Sequence, residues 1–175
     1  MTQIRTARLL LRKPREDDLS ALHAIMSDGE AMRYWSTPPH PDLETTRTWL
    51  AGMIALPADL GDDYIVERDG RLIGKLGMWR TPEIGFLLDR AVWGQGYGGE
   101  ALRAFAAHAL ATLSDHLTAD ADPANTASLA LMASVGFRET GRAARTWKVG
   151  DQWVDSVYLR LDRGDFERLE AARRR

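Results

Sequence analysis

Apolar residues are spaced in two ways along this chain, one typical of strands and one typical of helices. Residues 84–88 form a short apolar run, which predicts a buried strand. Beyond residue 96 the apolar residues recur every three or four positions, so a helix is predicted to begin near Tyr97 or Gly98. Its apolar face consists of Ala101, Leu102, Phe105, Ala109 and Leu113. Residues 94–99 lie between the two elements and contain four glycines, so the centre of the chain is predicted to be a strand, a glycine-rich loop and a helix.

Strand and helix patterns fill most of the remaining chain. The predicted strands are residues 8–12, 64–67, 72–79 and 116–120, one strand from Gly136, and a last hairpin of 145–149 and 153–161. The predicted helices are residues 16–26, 43–56 and 126–135, and the charged end, 163–175, is a helix or a frayed terminus. Asp42 and Asn125 are suitable N-caps, and Gly136 is a suitable stop. Antiparallel strands leading into the central loop and helix favour a mixed sheet in one domain, residues 1–175.

Composition excludes several classes of protein. The chain is 45% apolar and 27% charged with a net charge of −2, which is typical of a soluble globular protein and gives no reason to expect nucleic acid or an anionic membrane as partner. It has no cysteine, so disulfides and thiolate metal sites are excluded, and its four histidines lack metal-ligand spacing. The N-terminal sequence MTQIRTARLLLRK does not resemble a signal peptide, and we expect a cytoplasmic protein with no bound metal.

The glycine-rich loop carries the most specific chemistry. A loop that opens a helix presents unpaired backbone N–H groups, and the helix dipole adds to their attraction for phosphate. The spacing Gly94-x-Gly96-x-x-Gly99 also satisfies the bare dinucleotide-binding fingerprint. In that fold the first glycine follows its strand almost directly, whereas here residues 89–93 separate the strand from Gly94, which argues against this interpretation. A tight turn and close helix–sheet packing would be a purely structural reason for the same glycines. No Gly-Lys-Ser/Thr follows, so a Walker-type phosphate loop is excluded.

The stretch Trp93-Gly94-Gln95-Gly96-Tyr97-Gly98 resembles motif A of the GNAT superfamily of N-acetyltransferases. Trp93 stands where that motif more often has Arg or Gln, a substitution that looks like the RimJ/RimL branch. The resemblance implies a fold with a mixed, mostly antiparallel sheet of about seven strands flanked by about four helices. It also implies that the loop binds the pyrophosphate of acetyl-CoA and that the strand before it splays from the next one to pair with the pantetheine arm. The implied cofactor-binding residues are Phe86, Leu87, Leu88, Trp93, Gly94, Gln95, Gly96, Tyr97, Gly98 and Gly99.

A second segment, Asn125 to Phe137, resembles motif B of the same superfamily. The resemblance implies that Asn125 binds the cofactor or orients the reacting groups. Many relatives have a tyrosine seven residues later as the acid toward the leaving thiolate, but this chain has Met132, which cannot donate a proton. Ser128 is the nearest hydroxyl and the candidate replacement, with an ordinary first-turn serine as the alternative.

The acceptor amine requires a base, because only its neutral form attacks a thioester. Glu83, at the start of the strand before the loop, is the candidate base, and an edge glutamate in solvent is the alternative. The aromatic residues Tyr34 and Trp35 lie in a predicted loop that, by resemblance, would wall the acceptor pocket.

Taken together, these residues predict an acetyl-CoA-dependent N-acetyltransferase that acts on a primary amine. The acceptor is either a protein N-terminus or a small molecule such as a polyamine or an antibiotic. Because the usual tyrosine is missing, a non-catalytic acyl-CoA-binding module is the main alternative, and a dinucleotide-binding protein is a third. The last hairpin carries Trp147 and Trp153 and could pack across a homodimer.

Overall fold

The computed structural model describes residues 3–175, so the start of the domain predicted for 1–175 lies outside it. These residues form eight strands and five α-helices. The strands are β1 (Ile4–Arg5), β2 (Leu10–Arg12), β3 (Asp62–Arg68), β4 (Arg71–Arg80), β5 (Glu83–Leu88), β6 (His116–Ala121), β7 (Arg138–Val149) and β8 (Gln152–Asp162). The helices are α1 (Leu19–Met26), α2 (Leu43–Ile54), α3 (Tyr97–Thr112), α4 (Thr126–Val135) and α5 (Arg163–Arg173).

All strands belong to one sheet, in the order β1-β2-β3-β4-β5-β6-β8-β7. Neighbouring strands are antiparallel except for β5 and β6, which are parallel. The prediction of a mixed, mostly antiparallel sheet with helices on it is therefore confirmed. The parallel pair arises because β5 and β6 are joined by the glycine loop and α3, the crossover that parallel strands require.

The structure has one strand and one helix more than the approximate counts of seven and four that the resemblance implies. β1 has only two residues, too few for an alternating pattern, and exists because Ile4 and Arg5 pair with β2. Residues 138–149 form a single strand that is interrupted by a bulge, where Arg145 adopts a positive φ of 54°. The charged end is helical, since α5 buries Phe166 against the sheet and α3.

The two faces of the sheet carry different helices. α1 and α2 cover one face, in a cluster that includes Ile65 and Leu87. α3 packs on the other face with Leu102 and Phe105 fully buried, and α4 and α5 add Val135 and Phe166 to the same cluster. None of the helices within residues 3–175 has the length and apolar composition of a bilayer span.

Helix boundaries follow the predicted caps. The side chain of Asp42 accepts a hydrogen bond from the backbone N–H of Thr45 at 2.8 Å, and that of Asn125 accepts one from Ser128 at 3.2 Å. Gly136 ends α4 in the left-handed conformation, with φ of 111°. α4 is therefore fixed at both ends, which holds the segment after β6 in a defined position.

Two histidines, the half-buried His23 and the buried His40, join α1 and α2 to the loop between them. The hydroxyl of Thr46 lies 2.7 Å from Nδ1 of His23 and 2.9 Å from Nδ1 of His40. Both Thr46 and His40 are buried, and the ring of His40 also packs edge-on against Trp49. Burial, together with the nearby His23, lowers the pKa of His40 below its ordinary value of 6.5.

This histidine predicts a loss of stability in mild acid. Because the pKa of His40 is lower in the folded than in the unfolded chain, its contribution is fully present above pH 6.5 and is lost as the pH falls through the folded-state pKa. We expect the melting temperature of the wild type to fall between about pH 7.5 and pH 5, and that of His40→Gln to fall less. Thermal denaturation across this range measures the difference, and parallel curves for the two proteins would contradict the prediction.

Candidate active site

The parallel strands β5 and β6 pair at one position only. Glu83 is in register with Thr118, and beyond this pair the strands diverge. Residues 84–88 of β5 and 119–122 line opposite walls of a cleft of about 510 Å³, a volume typical of small-molecule sites. The predicted splay is therefore confirmed, and it leaves one edge of β5 without a strand partner beyond Glu83.

The glycine-rich loop forms one end of this cleft. Gly94 and Gly96 have positive φ values of 71° and 81°, a region that side chains with a Cβ adopt at a cost. Gly96 is the N-cap of α3, and no side chain caps the helix there. The N–H groups of Tyr97, Gly98 and Gly99 precede the first intrahelical donor, the N–H of Glu100, and so have no partner within the helix.

Glycine occurs at these four positions of the loop for different physical reasons. Gly94 and Gly96 are required by conformation. A Cβ on Gly98 would lie 2.6 Å from Cδ1 of Leu131, so Gly98 permits close packing of α3 on α4. A Cβ on Gly99 would meet no atom within 4 Å, although glycine disfavours helices by up to about 1 kcal/mol relative to alanine. A tight turn and helix packing therefore explain three of the glycines and leave Gly99, which lines the cleft, without a structural reason.

Trp93 has a structural role in this loop. Its indole N–H donates to the carbonyl oxygen of Leu88 at 3.0 Å, which ties the loop to the end of β5. The ring is 46% exposed and lines the cleft. A side chain that replaces the commoner Arg or Gln thus holds the loop without adding a charge. Of the predicted cofactor-binding residues, Gln95 alone does not line the cleft. Its side-chain amide donates to the backbone carbonyl of Ala91, and its own backbone carbonyl accepts a hydrogen bond from Arg8.

An ion pair neutralises the acidic residue nearest to the loop. Glu100 lies in the first turn of α3 and is 2.7 Å from Nε of Arg8. Although burial raises the pKa of Glu100, hydrogen bonds from Thr6 and Arg8 outweigh it and hold that pKa below its usual range. Arg8 also packs on Tyr97, 4.3 Å from the ring centroid. The charge beside the unpaired amides is therefore compensated, so it does not repel an anion at the helix start.

The residues of the second motif form the wall beside β6. Asn125, Ser128 and Met132 all line the cleft. The amide oxygen of Asn125 is used as the cap of α4, and Met132 is only 3% exposed, at the floor. Ser128 is thus the hydroxyl that α4 presents to the cleft.

Tyr34 and Trp35 line the cleft on the side of α1 and α2, where the sequence placed them. Trp35 lies over β5, since a Cβ on Gly85 would be 3.6 Å from the far edge of its ring. Glu83 is on the same sheet face but at the bottom of the splay, and it does not line the cleft. Its carboxylate is 23% exposed and lies 3.4 Å from Nη2 of Arg80, next to Ile84, which does line the cleft.

Sequence reasoning missed three carboxylates that line the cleft, namely Glu30, Asp120 and Asp122. Asp120 follows Thr118 by two residues in β6, while Leu117, Ala119 and Ala121 are buried on the α3 face. The alternation in HLTADA was the available signal, because it places Asp120 on the opposite face of the sheet from Leu117, Ala119 and Ala121. No Lys, Arg or His of the described residues lines the cleft. Residues 3–175 also contain no cluster of three or more His, Asp or Glu placed to hold a metal ion.

Comparison with known proteins gives consistent results. Residues 8–138 match the family model described as "Acetyltransferase (GNAT) domain". The uncharacterized N-acetyltransferase p20 of Bacillus licheniformis is 29% identical over 173 residues, which covers 91% of this chain and 94% of that protein.

Two solved structures share the fold. One is an acetyltransferase from Salmonella typhimurium that modifies the N-terminal serine of ribosomal protein L7/L12, with a TM-score of 0.83, 21% identity, and coverage of 92% of this chain and 99% of that one. The other is spermidine N-acetyltransferase from Vibrio cholerae in complex with CoA and spermine, with a TM-score of 0.80, 16% identity, and coverage of 93% and 99%.

Proposed function

The chain belongs to the GNAT acetyltransferase family and is therefore an acyltransferase, and from this premise we propose that it transfers the acetyl group of acetyl-CoA to a primary amine in the cleft between β5 and β6. The observation that carries the proposal is the set of unpartnered N–H groups of Tyr97, Gly98 and Gly99 at the end of that cleft. Converging backbone donors at a helix N-terminus suit a pyrophosphate, and they need no cationic side chain.

The cleft suits both the pantetheine arm and the phosphate groups of the cofactor. The free edge of β5 offers backbone groups to the amide-rich pantetheine arm, as a further strand would. Trp93 and Gly99 border the proposed phosphate site, and Asn125 and Ser128 stand where the arm would reach the reacting centre. When bound, acetyl-CoA supplies an activated acetyl group, and the chain itself supplies binding, orientation and proton transfer.

Ser128 is our candidate for the hydroxyl near the leaving sulfur. A serine hydroxyl both donates and accepts, so it can pass one proton to the sulfur while it receives one from the amine nitrogen. Met132 lies at the floor of the same wall and has no proton to give. Asn125 is the positioning residue for Ser128, because its side chain accepts the hydrogen bond from the backbone N–H of Ser128.

The charge of the cleft favours a cationic acceptor. Its charged lining side chains within residues 3–175 are all carboxylates, those of Glu30, Asp120 and Asp122. Tyr34 and Trp35 also line the cleft, and the faces of aromatic rings attract ammonium groups. The fold relatives act on amines of two kinds, a protein N-terminus and spermidine, and the same two kinds are the acceptors that we propose to test. A homodimer built on the last hairpin stays a prediction.

Thiol release from acetyl-CoA tests this function directly. We expect release only when an amine is present, in a panel of propylamine, spermidine and a short peptide with a free N-terminus. The same peptide with an acetylated N-terminus is the matched control and should give no release. Cofactor binding without release for any amine would indicate a non-catalytic acyl-CoA-binding module, and preferential binding of NAD in equilibrium dialysis would indicate the dinucleotide alternative.

A further inference from the structure

Asp120 is held by a hydrogen-bond network that spans three strands. Its Oδ2 accepts the indole N–H of Trp147 at 2.7 Å and the hydroxyl of Ser156 at 2.9 Å. The Ser156 hydroxyl is also 2.6 Å from that of Thr146, and Ser156 is 1% exposed. Two donors on one oxygen fix the rotation of the carboxylate, because both bonds would break if it turned.

The other oxygen of Asp120 is free. Among residues 3–175 no side chain or backbone group donates to Oδ1, and no Lys or Arg lies within ion-pair distance of the carboxylate. Asp120 lines the cleft on the face of the sheet that also carries Trp35. A fixed carboxylate with one unused oxygen and no internal counter-ion is suited to a cation that arrives from outside.

We propose that Asp120 is a catalytic residue that binds the acceptor's ammonium group through Oδ1 and removes its proton. This inference rests on the proposed function. One N–H bond of the ammonium breaks as the O–H bond of Asp120 forms, and the nitrogen keeps the electron pair that attacks the acetyl carbonyl. The C–N bond then forms, the C–S bond breaks, and the second nitrogen proton leaves toward the sulfur, so that protons and electrons balance.

The positions of the two carboxylates relative to the cleft favour Asp120 over Glu83 for this proton transfer. Glu83 lies at the closed end of the splay, beside Arg80, and does not line the cleft. Asp120 is two residues beyond Thr118, the partner of Glu83 in register, and projects from the same face where the strands have diverged. Trp147 and Ser156 are positioning residues, because they donate hydrogen bonds to the carboxylate but do not themselves line the cleft.

The variant Asp120→Asn tests the proposal. Its amide oxygen can still accept from Trp147 and Ser156, which places NH₂ where an ammonium would bind. We expect kcat/KM for the best amine of the panel to fall by about a hundredfold, the lower end of what positioned proton transfer contributes. We also expect the rate to rise more steeply with pH than in the wild type, because without this base only acceptor that is already neutral in solution can react. The affinity for acetyl-CoA should stay unchanged, and Asp59→Asn, an exposed carboxylate on the loop after α2, is the matched control.

The positioning residues give a second readout. Trp147→Phe and Ser156→Ala each remove one hydrogen bond that orients the carboxylate, so they should lower kcat/KM by less than Asp120→Asn does and change its pH profile in the same direction. A merely structural role would lower activity without changing the shape of the pH profile.

Binding separates this inference from the proposed function. With CoA present, isothermal titration of propylamine and spermidine should show weaker binding to Asp120→Asn than to the wild type. This result would support the ammonium site even if thiol release failed for every amine. Wild-type amine binding, kcat/KM and pH profile in Asp120→Asn would overturn the proposal, as would a steeper pH dependence in Glu83→Gln that Asp120→Asn does not show.

Discussion

Replacing Gly96 by valine is expected to weaken acetyl-CoA binding by more than about a hundredfold, or about 2.7 kcal/mol. Gly96 has φ of 81° and is the N-cap of α3. A β-branched residue is a strong outlier at such an angle, so the chain should relax toward negative φ and turn the neighbouring amides away from the cleft. A Cβ there would lie 3.4 Å from Nη2 of Arg8, an ordinary contact, so the expected loss comes from the backbone angle and not from a clash.

Isothermal titration of acetyl-CoA measures this loss, with circular dichroism to establish that the variant is folded. Gly52→Ala is the matched control, because Gly52 lies in α2, away from the cleft, and an added Cβ would meet no atom within 4 Å. It should keep full affinity and gain up to about 1 kcal/mol of stability from helix propensity. A folded Gly96→Val protein with normal affinity would show that the proposed phosphate site is not at this loop.

The glycine loop was the part of the site that the sequence predicted best. Left-handed backbone and close approach both demand glycine, so Gly94, Gly96 and Gly98 reveal the local geometry through residue type alone. Asp42 and Asn125 are similar cases, because a cap acts within three residues of its own position. Signals of this kind are local, and local signals survive without knowledge of the tertiary structure.

The residues that the sequence did not reveal depend on contacts between distant segments. Asp120 becomes distinctive only when Trp147 and Ser156 reach it from β7 and β8, 27 and 36 residues away in sequence. Glu83 occupies the expected strand, but its exclusion from the cleft follows from how far the strands stay paired, which is set by Thr118 of β6. Spacing along one segment does not contain this information.

The largest effect on stability is expected at a buried ion pair that lies beside Trp35, one of the residues lining the cleft. Nζ of Lys75 in β4 is 2.8 Å from Oδ1 of Asp63 in β3, and both side chains are almost fully buried. The ammonium also faces the rings of Trp35 and Trp49, 5.6 Å and 5.3 Å from their centroids. Lys75→Met should therefore destabilise the protein by about 3–5 kcal/mol, because the carboxylate of Asp63 is left buried without a partner.

For a chain of this size such a loss corresponds to a fall in melting temperature of about 6–20 °C, which differential scanning calorimetry measures. Lys148→Met, at an exposed position of β7, is the matched control and should change the stability by less than about 0.5 kcal/mol. The double variant Lys75→Met/Asp63→Asn removes the uncompensated charge and should recover part of the loss. If the single Lys75 variant melted like the control, the ion pair would contribute no net stability, and the position of Trp35 would have to depend on packing alone.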